Sequence, residues 1–238
     1  MPGVWLILPT YNEAANLEPL VRAVLPQLAG TGLPYNVLVV DDDSPDGTGR
    51  VAERLAAEND RVRVLRRAQK KGLGRAYLAG FGVALEAGAD LIMEMDSDFS
   101  HDPADVPRLI AAADAADLVL GSRYVPGGGV TNWGLARRLV SRGGCAYARV
   151  LLGIPVRDLT GGFKCFNRRV LEALDLTDVH ANGYGFQIEL TYKAVRAGFT
   201  VTEVPIVFRE RREGVSKMTP PIALEAVWKV IALRVRAR

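Results

Sequence analysis

Two aspartates one residue apart, Asp96 and Asp98, close an apolar run over residues 91–95 and are followed by Phe99-Ser100-His101-Asp102-Pro103. An apolar run of that length reads as a buried strand. No lysine or arginine stands beside the pair in sequence to neutralise it. A hard divalent cation would do so. Mg2+ or Mn2+ takes oxygens from one or two carboxylates and fills its remaining positions with water and substrate phosphate. In parallel α/β sheets ligands bind outside the carboxyl ends of the strands, so the chemistry this spacing offers is a metal holding a diphosphate. The pair taken alone fits helix capping as well, the role that Asp102 ahead of Pro103 is expected to play. The neighbouring elements have to decide.

Other strand ends carry the same texture. Residues 4–8 are apolar and are stopped by Pro9, followed by Thr10-Tyr11-Asn12-Glu13. Residues 36–40 end in Asp41-Asp42-Asp43-Ser44-Pro45-Asp46-Gly47-Thr48, and residues 118–120 in Gly121-Ser122-Arg123-Tyr124. A further strand is expected at 62–65. Helical patterns intervene at 14–28, where apolar residues recur at 17, 20, 21, 24, 25 and 28, and at 51–57, 75–86 and 103–113. Short strands alternating with helices predict a doubly wound, mostly parallel α/β sheet. Its polar strand ends would converge on one edge. Strand order is not legible from the pattern.

Beyond Arg123 the texture changes. Residues 126–129 read as a hinge-like loop. A basic, apolar-striped helix is expected over 133–152, carrying Arg137, Arg138, Arg142 and Arg149. Strands are expected at 164–166 and 200–208, helices at 169–174 and 183–196, and a charged loop over 209–217. Residues 221–238 form an amphipathic pattern with Trp228 and basic residues, suited to a lipid headgroup layer or equally to a core or dimer contact.

The 238 residues suffice for a sizeable core. Residues 1–121 hold 11 Lys and Arg against 18 Asp and Glu, a net of −7, whereas residues 122–238 hold 19 against 9, a net of +10. An acidic half suited to cations precedes a basic half suited to anions. Nucleic acid is not the expected partner, because no aromatic–basic binding module occurs and the acidic half would repel a phosphate backbone. Cys145 and Cys165 have neither metal-ligand spacing nor a disulfide framework and are expected as reduced, buried thiols. No signal-peptide pattern opens the chain and no run of eighteen apolar residues occurs, so the expectation is a cytoplasmic protein that does not span a membrane.

Together, Pro9-Thr10-Tyr11-Asn12-Glu13, the Asp41 to Thr48 segment and Asp96-Ser97-Asp98 resemble the inverting GT-A glycosyltransferases of family 2. Gly121-Ser122-Arg123-Tyr124, Asp158-Leu159-Thr160-Gly161-Gly162-Phe163 and Arg211-Arg212-Glu213-Gly214-Val215-Ser216-Lys217 are similar to segments of dolichyl- or polyprenyl-phosphate mannose synthases. The resemblance spans about residues 4–220. It implies a GT-A, Rossmann-like domain over residues 1–220, with a nucleotide-sugar half to about 122 and an acceptor half from 123, followed by the 221–238 helix. The implied reaction moves mannose from GDP-mannose to a polyprenyl or dolichyl monophosphate.

The resemblance also implies roles. Pro9, Tyr11, Glu13, Val40, Asp42, Asp96, Ser97 and Asp98 would bind the donor, Val40 through no more than backbone or van der Waals contact. Asp96 and Asp98 would hold Mg2+ or Mn2+, with Ser100 standing where some relatives carry a further ligand. Asp98, Arg123, Arg211 and Lys217 would form the catalytic set, the three cations binding the acceptor phosphate. Lys164 and Arg209 are additional candidates. Imidazole suits softer metals than Mg2+, so His101 and His180 are expected as loop histidines in water. A lipid phosphate is already an anion, so no protein base is required; Glu189 is expected as a carboxylate paired with a nearby cation. Without a membrane-spanning helix the chain would work as a peripheral protein on the cytoplasmic membrane face, through residues 133–152 and 221–238 and with a separate membrane-anchoring subunit as a possible partner. Alternatives left open are another donor such as UDP-glucose, a sugar-phosphate nucleotidyltransferase, and a non-catalytic scaffold.

Overall fold

A computed structural model of the chain describes residues 3–179, 183–210, 228 and 230–235. Its first strands and helices alternate as expected: β1 (Val4–Thr10), α1 (Ala14–Ala29), β2 (Tyr35–Asp41), α2 (Thr48–Glu58), β3 (Val62–Arg66), α3 (Leu73–Glu86) and β4 (Leu91–Glu94). Then come α4 (Val106–Ala112), β5 (Leu118–Ser122), β6 (Gly129–Val130), α5 (Leu135–Leu152), β7 (Lys164–Asn167), α6 (Arg168–Ala173), α7 (Tyr184–Arg196), β8 (Val201–Pro205) and β9 (Val207–Phe208).

Among the described residues, seven strands form one sheet in the order β3-β2-β1-β4-β7-β5-β8. All neighbours pair parallel except β7, which lies antiparallel between β4 and β5. Every residue of β1 is buried. Its side chains alternate between the two faces, Leu6 and Leu8 packing with Leu17 and Leu20 of α1, and Trp5 and Ile7 with Tyr77 and Phe81 of α3. A strand buried on both faces reads as a continuous apolar run rather than an alternation, which is why residues 4–8 are so uniform. Helices α1, α2 and α4 contribute to one core layer and α3, α5, α6 and α7 to the other.

Beyond shifts of one to three residues at several element ends, three stretches differ in kind from expectation. The 103–113 helix is a 3-10 turn, Pro103–Asp105, followed by α4; Asp102 does cap it, its Oδ1 accepting from Ala104 N at 3.0 Å. The 200–208 strand is two strands: β8 ends on Pro205, Ile206 turns into the core, and β9 leaves the main sheet to pair with β6 in a two-stranded ribbon. The loop read at 126–129 therefore ends in a strand. Cys145 and Cys165 are free and buried, as expected. Of the 221–238 pattern, Val230 is buried, Ile231, Leu233 and Arg234 are half-buried with Leu233 packed on the core, and Trp228, Ala232 and Val235 are exposed; residues 221–227, 229 and 236–238 lie outside the described residues. No helix among the described residues is long and apolar enough to cross a membrane.

Candidate active site at the carboxyl edge of the sheet

Because β2, β1 and β4 are parallel neighbours, the loops that follow them meet at one edge. The first two are stitched together by short polar side chains. Asn12 N donates to Ser44 Oγ (3.1 Å), Glu13 N to Thr48 Oγ1 (2.9 Å) and Ala14 N to Asp46 Oδ2 (3.0 Å). This stitching supports left-handed backbone at Asn12 and Asp43, conformations that favour Asn and Asp among non-glycine residues. Pro9, Tyr11, Glu13 and Asp42 then line one cavity with Lys70 and Leu73. Lys70 Nζ stands 3.7 Å from the centroid of the Tyr11 ring. Asp42 is held by Arg67 Nη1 at 2.5 Å and Lys71 N at 3.3 Å; burial raises its pKa, and the Arg67 charge offsets this only in part. Val40, by contrast, is a fully buried core side chain, and its carbonyl accepts from Thr10 Oγ1.

The Asp96–Asp98 loop adjoins this cavity. Ser97 Oγ donates to the carbonyl of Pro9 (3.0 Å), tying the third loop to the first. Asp98 is buried and its Oδ1 accepts from Ser100 N (3.0 Å), bridging a turn in which Phe99 is left-handed. The Ser100 hydroxyl is buried and has no hydrogen-bond partner among the described residues. Asp96 accepts from Tyr77 Oη at 3.4 Å, and Gly162 approaches so closely that a Cβ there would lie 3.3 Å from Asp96 Oδ1.

His101 corrects the expectation of a solvated loop histidine. It is 1 % exposed, its Nδ1 accepts from Asp96 N (3.3 Å), and its ring stacks on Phe163 and meets Phe208 edge-on. Burial pulls its pKa down to about 4, so the ring is neutral near pH 7. The residue type was visible in sequence; the aromatic partners, 62 and 107 residues away by their numbers, were not.

Arg123 flanks the same Phe208 ring, its guanidinium carbon 5.4 Å from the centroid. It is buried and its charge is matched: Nε and Nη2 each lie 2.7 Å from an oxygen of Asp158, and Nη2 also donates to Thr160 Oγ1. Burial penalises both charges, yet each outweighs that for the other, so the Asp158 pKa falls and the Arg123 pKa rises. Arg123 and Asp158 stand 35 residues apart in the chain, so no local pattern reveals that they pair.

Lys164 is fully buried on β7 as the register partner of Glu94, and its Nζ donates to the carbonyl of Gln187 (2.8 Å). Burial moves Glu94 up to about 7 and Lys164 down to about 8. Arg209 pairs with Asp102 at 3.0 Å and its backbone N–H donates to Ser100 O. Glu189 pairs with Lys193, as expected (3.2 Å). Arg211, Lys217 and His180 lie outside the described residues.

Residues 5–175 match the profile described as glycosyl transferase family 2. The chain belongs to that family. Among curated relatives of this family 2 glycosyltransferase, polyprenol monophosphomannose synthase of Mycolicibacterium smegmatis is 49 % identical over 98 % of this chain and 87 % of the relative. Undecaprenyl-phosphate mannosyltransferase of Micrococcus luteus is 46 % identical over 99 % of this chain and 95 % of the relative. Among solved structures, glucosyl-3-phosphoglycerate synthase of Mycobacterium tuberculosis, in complex with Mn2+, UDP and glucosyl-3-phosphoglycerate, superposes with a TM-score of 0.69 at 25 % identity, covering 99 % of this chain and 80 % of that one. The GT-A fold of the family 2 glycosyltransferase is thereby established.

Proposed function

We propose that the chain transfers mannose from GDP-mannose to a polyprenyl monophosphate, inverting the anomeric centre to give a β-linked product. The observation that carries this reading is the meeting of the Pro9, Tyr11, Glu13 and Asp42 cavity with the Asp96–Asp98 loop at three adjoining strand ends. The two mannosyltransferase relatives, each alike over nearly the whole chain, support the sugar and the acceptor class.

Asp42 and Glu13 would accept from ribose hydroxyls or base N–H groups, and Tyr11, backed by Lys70, would offer a face to the base. Asp96 and Asp98 fit a divalent cation, Mg2+ or Mn2+: their oxygens are hard donors and Ser100 adds a buried, unpartnered hydroxyl beside them. No group of three or more acidic, His or Cys side chains disposed for a metal exists among the described residues, so the donor diphosphate and water would complete the set. Bound there, the cation supplies positive charge to the departing diphosphate.

The acceptor phosphate, already anionic, needs no proton removed. One of its oxygens forms the new bond to the anomeric carbon while the bond from that carbon to the diphosphate oxygen breaks, its electron pair leaving with GDP. Arg123 has Nε and Nη2 engaged by Asp158 and Thr160, so among the described residues Nη1 is the guanidinium nitrogen that would orient a phosphate oxygen. Arg211 and Lys217 would add charge on the acceptor side. The polar edge of residues 1–122 would thus serve the donor, and residues 123–220 the acceptor. The lipid would be met at a membrane surface, with or without a separate anchoring subunit.

Purified protein incubated with labelled GDP-mannose or UDP-glucose, Mg2+ or Mn2+, and a short polyprenyl phosphate tests donor, acceptor and cation together. The expected result is cation-dependent mannolipid from GDP-mannose alone, abolished in Asp98→Ala while the protein still folds. Unchanged turnover in Asp98→Ala, or glucolipid in place of mannolipid, overturns the reading.

A further inference from the structure

We infer that His101 is a positioning residue for donor binding, holding the Asp96–Asp98 loop through the hydrogen bond from Asp96 N to its Nδ1. The inference rests on the reading of Asp96 and Asp98 as ligands of a nucleotide-bound divalent cation.

The loop needs such a hold. Phe99 sits at φ 60°, a left-handed conformation that is strained for a bulky residue and persists only where surroundings enforce it. Asp98 Oδ1 bridges the far side of the turn through Ser100 N, and His101 Nδ1 closes the near side through Asp96 N. Both hydrogen bonds involve the two carboxylate residues themselves. A ring that accepts at Nδ1 carries its proton on Nε2.

The imidazole cannot drift. It is 1 % exposed, packed 5.0 Å from Phe163 with an interplanar angle of 26°, and 5.3 Å from Phe208, which in turn meets Trp133. Phe163 follows Gly162, the residue that abuts Asp96 Oδ1, so ring and carboxylate are set by the same segment. The backbone of the loop is further tied at Ser100 O by Arg209 N. A partner that orients a metal-binding residue is worth about 10–100-fold in metal affinity.

Two variants separate acceptor from ring. His101→Asn keeps an acceptor atom, Oδ1, three bonds from Cα where Nδ1 stands. His101→Phe keeps the stacked ring and removes the acceptor. GDP affinity is measured by titration calorimetry on the full chain, with Mn2+ and with EDTA. In His101→Phe the gain in GDP affinity that Mn2+ confers is expected to shrink about tenfold, with EDTA affinity unchanged; His101→Asn stays within about threefold of the parent in both. A purely structural role would lower both affinities alike. Parental Mn2+-dependent binding in His101→Phe, or an equal loss with and without Mn2+, overturns the inference. Should His101→Phe fail to fold, His101→Asn decides: parental affinity supports the inference, tenfold loss refutes it. If the parent itself gains no GDP affinity from Mn2+, the cation reading falls first, and this inference with it.

Discussion

At the scale of single residues, the Arg123–Asp158 pair shows how a buried charge differs from a surface one. Both side chains are almost wholly excluded from solvent, and removing one partner of such a pair leaves the other uncompensated, at a cost of about 3–5 kcal/mol. Asp158→Asn is therefore expected to lower stability by that order in urea melts at pH 7, far more than loss of an exposed pair such as Arg22–Glu18. The pH dependence follows from the direction of the shift. Asp158 is held below its ordinary value by Arg123 against the opposing effect of burial, so its contribution is complete above the unfolded carboxylate value of about 3.9 and is lost as pH falls through the lower, folded value. Melts at descending pH should show a shallower acid limb in Asp158→Asn than in the parent. An identical limb would mean that the pair does not govern it.

Among the elements, α3 is the one whose seating bears most directly on the donor cavity, since Leu73 and Ala76 of its first turn line that cavity. It packs on β1 and β2 through Gly80, where a Cβ would lie 2.5 Å from Ile7 Cγ2 and 3.2 Å from Val40 Cγ2. Gly82, two residues on, has nothing within 4 Å. Gly80→Ala is expected to destabilise by about 1–2 kcal/mol, overpacking outweighing the helix-propensity gain, and to raise the KM for the nucleotide sugar as α3 is pushed outward. Gly82→Ala should stabilise by about 0.5–1 kcal/mol. Equal effects in thermal melts would show that the α3 contact is not tight. The elements least legible in sequence are those defined by pairing: β7 is inserted antiparallel, and β8 and β9 separate where Pro205 ends the ladder and Ile206 turns inward. Within residues 200–208 the local signal of the break is Pro205, which has no N–H to give to a ladder; the change of partner strand that follows it is not written there.

For the whole molecule, charge and exposure coincide. Helix α5 buries only the stripe Ser141, Cys145, Ala148 and Leu152, leaving Leu135, Leu139, Val140 and Val150 exposed at 57–78 % beside Arg138, Arg142 and Arg149. A face of exposed aliphatics among arginines suits a layer of anionic headgroups. The protein is expected to co-sediment with vesicles containing an anionic lipid, to release as salt is raised, and to bind several-fold less well as Leu135→Glu/Leu139→Glu. Neutral and anionic vesicles bound alike would argue that the basic half plays no part.

The alternation of strands and helices through residue 122, the placing of Asp96 and Asp98 just past a strand and the basic second half were legible in the amino-acid sequence alone, because each is a local pattern of apolar runs, breakers and charge. Tertiary structure decided what depends on distant partners: the burial of His101 between Phe163 and Phe208, the matching of Arg123 by Asp158, the core position of Val40 and the facing of Lys164 with Glu94. The reason is physical. A periodic pattern reports which face of an element is apolar, whereas strand order and antiparallel insertion determine which faces meet, and no single element carries that information.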